Sequence, residues 1–420
     1  VRSALATGTV ANAFVLSNDS TATFDSQSNA NTFSGAFSGG GGLRKTGAGT
    51  LTLSAANTFT GTTSLTAGTL ALGNVSALSN STLDANAAVG LVVAGTNTYL
   101  LGGLSGTSAI ALGVNSLDVG GNNESTTFAG GLSGSGGLTK RGLGTLVLSG
   151  SNTYSGPTAV SAGVLAITSA AGLQGTSGMT LADATRVRYT GAAATFARSV
   201  TVTAGTATIE NTGGSLLTLS GELSKNGTTL QLSGGLFNVT GQITGPNTNS
   251  DLVVTGTSNV TLSNTNSYVG PTFVIQSSTL TYGVNNAIPS NSVVTLGDAT
   301  TVGTLDLGAF SGSISQLVFG SAGGTLRLGD SGGSSLRLST AGSLSLAANT
   351  SLVLTSAGTT AGLYPILSYT SLTGTFGSVQ GVPSGYTLIY TGTQVGLQRT
   401  GDLYTFSMAP ASTRALVNST

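Results

Sequence analysis

The chain has 420 residues; 65 are glycine, 6% are charged, and none is cysteine, histidine or tryptophan. Thirteen basic and thirteen acidic residues cancel, so no positive field exists to hold nucleic acid, and without histidine or cysteine the Ser–His–Asp triad, Cys–His nucleophiles and the usual zinc sites are excluded. With 39% hydrophobic residues and a mean hydropathy of +0.30 there is material for a core, yet no apolar run approaches the roughly 18 residues of a membrane helix.

Helix patterning is almost absent, while short strands with period-two alternation recur along the whole chain. They are predicted at TLTL (50–53), TLVL (145–148), VTL (260–262), TLDL (304–307), TLRL (325–328), SLRL (335–338) and SLVL (351–354). Leu alternates with a residue that is mostly hydroxylic, so one face is apolar. Gly- and Asn-rich turns such as GGGG (39–42), AANT (55–58), GSNT (150–153) and NTNS (247–250) separate them.

Two stretches are near copies. Residues 33–74, FSGAFSGGGGLRKTGAGTLTLSAANTFTGTTSLTAGTLALGN, align without a gap on 128–169, FAGGLSGSGGLTKRGLGTLVLSGSNTYSGPTAVSAGVLAITS, at an offset of 95 (128 − 33). A worn third copy at 250–283 follows at an offset of 114 (270 − 156). Inside each copy the strands recur at a short, steady offset: 19 from Leu51 to Leu70 (70 − 51), 19 from Leu146 to Leu165 (165 − 146) and 20 from Val260 to Leu280 (280 − 260). A repeat of that length fits one coil of a solenoid with three short strands and three turns. Roughly twenty coils at about 4.8 Å each would give a rod on the order of 100 Å.

The shared pattern, GG-L-x-K-x-G-x-G-T-L-x-L-S-x-x-N-T-[FY]-[ST]-G-x-T-x-[VL]-x-A-G-x-L, resembles the passenger-associated repeat of bacterial autotransporters and related secreted proteins. The first copy carries it on Gly41–Leu43, Lys45, Gly47, Gly49–Leu51, Asn57–Phe59, Gly61, Thr63, Ala67, Gly68 and Leu70, and the second on the equivalents from Gly136 to Leu165. In the third copy Ser250 and Asp251 stand for the GG pair, Val254 for the lysine and Ser258 for a glycine, while Asn266, Tyr268 and Gly270 are kept. Residues 363–397, with an apolar strand, G-T-F, P-x-G-Y and a last strand, resemble the end of such passengers. The resemblance implies an exported β-helical scaffold. Together with the hand favoured by parallel crossovers, it predicts an all-β, right-handed parallel β-helix (β-solenoid) with a C-terminal cap. The solenoid is expected over 1–362, the cap-like segment over 363–406 and a tail over 407–420. Autotransporters end in an outer-membrane barrel, but no series of ten-residue alternating segments follows here; the barrel is expected to have been removed or left out, or the chain to leave the cell by another route.

Chemistry is sparse. No two carboxylates lie within five positions of each other, so the pairing a glycosidase needs would have to come from stacking, and the chain is expected to be no enzyme and to hold no cofactor or metal. GDSGG (329–333) reads as a solvated corner. Arg44–Lys45 and Lys140–Arg141 fall in the same turn of two copies, either as an anion-binding patch for glycans or as charged turns that block sideways strand pairing. Tyr364, Tyr369, Tyr386, Tyr390 and Tyr404 cluster late, either as a sugar-binding or subunit-contact surface or as a cap. Absence of cysteine fits a small-residue bias or an exported chain. The leading expectation is an extracellular structural subunit, assembling with copies of itself into a surface fibre or layer, with segments 1–24 and 403–420 completing a neighbour's sheet. The alternative is a surface adhesin passenger with cell-surface glycans as partners.

Overall fold

The computed structural model describes residues 7–86, 90–93, 96–329, 336–355 and 364–400. They wind into a parallel β-solenoid of about 15 turns. Its logic is visible in one column of side chains. Leu146, Leu165, Val187, Ile209, Leu232, Val254, Val274 and Leu296 face one another in unbroken register, each one coil from the last. All eight are buried. A second column runs from Leu217 through Phe237, Val260, Leu280, Leu305 and Leu326 to Leu352. Alternation puts these residues inside and their neighbours outside, and each coil hides its apolar edge only because another lies on it.

The outward positions explain how so few charges are accommodated. Ion pairs join neighbouring coils through opposite signs: Arg141–Asp118 at 3.1 Å, Arg186–Glu210 at 2.8 Å, Arg188–Glu210 at 2.5 Å and Arg327–Asp306 at 3.5 Å. Like charges so placed would stack and repel.

The count of about fifteen turns corrects the expected twenty. Coils lengthen along the chain. The step between stacked partners is 19 from Leu146 to Leu165 (165 − 146) and 22 from Val187 to Ile209 (209 − 187). It grows to 26 from Leu326 to Leu352 (352 − 326) and 29 from Leu338 to Leu367 (367 − 338). Fifteen layers at about 4.8 Å give a stack of roughly 70 Å. The copies also change face. Strand Leu138–Lys140 of copy two lies beside Ser116–Val119, whereas its counterpart in copy three, Leu252–Thr255, lies on Thr229–Ser233, in the ladder of copy two's other strand. Copy three is therefore seated one face further round.

Segment 1–24 is not a free arm over its described part. Thr7–Val10, Phe14–Val15 and Thr21–Asp25 already pair with the next coil, and Phe14, Phe24, Phe33, Phe37 and Phe59 pack there with ring centroids 4.8 to 6.2 Å apart. At the far end the direction reverses: Gln394–Arg399 runs antiparallel to both Tyr364–Ser368 and Tyr386–Tyr390.

Candidate functional site

The repeat motif places polar groups inside the coil, and the most unusual are its lysines. The chain has three, Lys45, Lys140 and Lys225, and all are 0–1% exposed. Lys45 Nζ donates to Thr46 O at 2.7 Å, Gly47 O at 2.8 Å and Ala67 O at 3.1 Å. Lys140 Nζ repeats this with Arg141 O, Gly142 O and Ala162 O at 2.7, 2.7 and 3.2 Å. Each ammonium thus satisfies two carbonyls of its own turn and one of the next coil. Burial lowers the Lys45 pKa, with Asp25 opposing, and brings that of Lys140 down to about 8.

For the two lysines of the basic pairs this differs from both expectations. Lys45 and Lys140 neither offer their charge to an anion outside nor guard an edge; they are internal clips, and only their arginine neighbours turn outward. Arg44 is exposed, and Arg141 pairs with Asp118. Lys225, missed in the sequence because it lies outside the copies, donates to Ser250 O and sits 3.8 Å from the centre of the Tyr268 ring. All three share a signal that could have found it: Lys-x-Gly, with Gly47, Gly142 and Gly227 at φ of 75, 71 and 71°. That conformation is open to glycine and turns the carbonyls inward. Arg337, 1% exposed, plays the same part later, its Nη2 donating to Gly308 O at 2.6 Å and Phe310 O at 2.7 Å. In copy three, where Val254 replaces the lysine, Ser258 Oγ donates to Thr255 O and Leu232 O instead.

The asparagine of N-T-[FY] is a second clip, a side-chain amide standing in for a peptide group. Asn57 Oδ1 accepts from Phe37 N at 2.9 Å and its Nδ2 donates to Ala77 O at 2.9 Å. Asn152 links Leu132 N and Gly172 O, both at 2.8 Å; Asn266 links Ile243 N and Ala287 O, both at 2.7 Å. Each bridges the coil before to the coil after.

The third element is hydroxylic. Tyr154 and Tyr268 share hydrogens with Thr158 and Thr272 at 2.6 Å, which continue to Thr176 and Ser292 at 3.0 Å. Copy one has Phe59 at this place, and the corresponding chain runs from Thr63 to Ser81 at 2.8 Å. Phe59→Tyr is expected to add the phenolic bond and to raise stability by about 1 kcal/mol, read as a higher urea midpoint.

The A-G pair closes the motif. Gly163 has φ +67°, and a Cβ on it would lie 2.5 Å from Gly142 O and 2.7 Å from Gly144 O. Gly163→Ala is expected to cost at least about 2 kcal/mol through backbone strain and displaced carbonyls, seen as a lowered thermal midpoint.

The described late tyrosines gather on or beside the two strands, Tyr364–Ser368 and Tyr386–Tyr390, that flank the reversed Gln394–Arg399; Tyr404 lies outside the described residues. Tyr369 is buried, donates to Thr391 O at 2.8 Å and has its pKa raised to about 12 by burial. Tyr390 OH accepts from Phe376 N at 3.2 Å, and Tyr364 and Tyr386 are half-buried. Among the described residues no three acidic groups come together in a way that could hold a metal ion, and no helix is long and apolar enough to cross a membrane. Most of GDSGG lies outside the described residues.

The passenger-associated-transport-repeat family matches residues 43–72, 138–167 and 252–277, the three segments that carry the asparagine clips. These three segments resemble autotransporter passenger repeats. It is also 42% identical over 130 residues to the adhesin BmaC autotransporter of Brucella suis biovar 1 (strain 1330). That likeness covers 29% of this chain and 4% of the adhesin, so the chain spans a small part of its relative's length. No solved structure matches the chain.

Proposed function

We propose that this chain is a stalk segment of an autotransporter-type passenger, wound with the right hand that parallel crossovers favour and exported to the bacterial surface, where it contributes to adhesion rather than catalysis. The observation that supports this most is that buried polar groups, the three lysines, the asparagines of the three copies and the Tyr–Thr chains, join coil to coil. A buried polar set so used is a scaffold. The likeness to an adhesin adds the direction of the function, with cell-surface glycans as the partner class, and the proposal includes no cofactor. The test is saturable binding of the purified chain to host-type cells and to a glycan array. Binding above a charge-matched control supports adhesion; failure on both surfaces removes the adhesive half and leaves a spacer.

A fibre subunit is the second reading. It draws on the balance of thirteen basic and thirteen acidic residues, which lowers repulsion between copies and favours association. The late tyrosines then serve as cap or docking face. Electron microscopy across a concentration series separates the two. Filaments with an axial repeat of roughly 70 Å favour the fibre, and isolated rods at every concentration favour the stalk.

A further inference from the structure

The internal column that begins at Leu217 belongs to a ladder that starts only part-way along the rod. Its first strand, Ala194–Phe196, pairs forward with Leu216–Leu219 and, among the described residues, has no strand behind it. The coil before passes there as the short 3-10 helix Ala170–Leu173. Such a turn does not send alternate side chains inward as a strand does, and the strand that follows offers only the small Ala194 at its first inward position. A cavity of about 40 Å³ is left between the two layers. One water needs about 10–15 Å³, so the space is that of a short length of alkyl chain.

Solvent reaches this cavity. Leu165 and Leu232 are wholly buried, whereas Val187 and Ile209, which lie between them in the same column, keep 5% and 4% exposure. Both line the cavity, with Leu173 and Met179. The walls are apolar; Tyr189 presents its ring, and its hydroxyl is spent on Ala192 O at 2.6 Å. A cation stands at the rim. Arg198 is exposed and lies between Phe196 and Val200, which both line the cavity. Its Nη2 donates to Gln174 O at 3.0 Å, one residue beyond Leu173, so the guanidinium reaches from the strand to the turn. Among the described residues no carboxylate pairs with it.

We propose that this cavity takes the tail end of a medium-chain fatty acid whose carboxylate rests on Arg198. An apolar chamber with an unpaired guanidinium at its mouth matches an amphiphile of that charge. The methylenes inside leave water, and the planar fork of the arginine holds a carboxylate through paired hydrogen bonds. The rest of the chain crosses the rim over Ala170 and Thr195, both exposed. A single narrow chain fits, whereas a bulky ligand needs a cleft of roughly 300–1,000 Å³. The proposal holds for a stalk or a fibre alike.

The experiment adds decanoate ending in a trifluoromethyl group to the whole chain and follows its fluorine NMR signal. A saturable shift is expected, reversed by unlabelled decanoate. Decanol, which lacks the charge, should compete at least about fivefold more weakly, and octanoate, two methylenes shorter, roughly tenfold more weakly. Arg198→Gln, at an exposed position, should bring decanoate down to the level of decanol and leave decanol within about twofold. Ala194→Leu fills the cavity from a half-buried position and should abolish the shift with the melting temperature unchanged or raised. No saturable shift, equal affinity for decanoate and decanol, an unchanged preference in Arg198→Gln, or full binding by a folded Ala194→Leu would overturn the proposal.

Discussion

Replacing Lys140 by alanine is expected to destabilise the chain by about 3 kcal/mol, although lysine is among the residues least often buried. The ammonium reaches three carbonyls at 2.7 to 3.2 Å. Losing it strands acceptors at about 1–3 kcal/mol apiece and leaves a void where the stem lay. Against that stands relief from burying a charge, which keeps the net below the sum. Lys140→Met keeps the stem volume without the donors and is expected to recover about 1 kcal/mol of the loss. Because stability in a stack is nearly a sum of local terms, hydrogen exchange should speed up across residues 138–167 while 272–296 stay protected. Equal acceleration along the whole rod would contradict the clip.

The second large effect is on pH dependence and belongs to Lys225. Burial lowers its pKa to about 7, against an ordinary value of 10.5. Below about pH 7 folded and unfolded chains both hold this proton, so it contributes no slope. Between 7 and 10.5 the unfolded chain binds more proton, and stability rises with pH across that window, by an amount on the order of 1.4 kcal/mol per unit. Two titratable groups face the amine. Tyr268 has its pKa raised by burial and stays neutral throughout; Asp251 has its pKa raised by burial, opposed by Lys225, and acts on the acid side. Lys225→Met should therefore remove the early part of the alkaline rise, leaving a shallower one that starts near pH 8 from Lys140. Urea midpoints from about pH 6 to 9.5 read this directly; an unchanged slope would mean that Lys225 keeps its proton inside the fold.

Much of the architecture was legible because solenoid strands announce themselves: Leu at alternate positions, recurring at a steady short interval with Gly and Asn between. The number of coils was harder, since the repeats that set the interval are shorter than the coils near the end, where the step from Leu326 to Leu352 is 26 (352 − 326). The role of the lysines escaped for a physical reason. Outside its context Lys-x-Gly reads as a surface turn, and only the closed coil, which points carbonyls inward, makes the interior the better place for an ammonium. The tyrosines were found as a group, but the reversal of strand direction that gathers them depends on pairing between residues well separated in the chain, such as Tyr364 with Leu397.

The asparagine clips have a mechanical meaning. Each ties three consecutive layers along the rod axis. They stand at positions 57, 152 and 266, at offsets of 95 (152 − 57) and 114 (266 − 152). Under tension, layers between clips part first and the clipped layers resist.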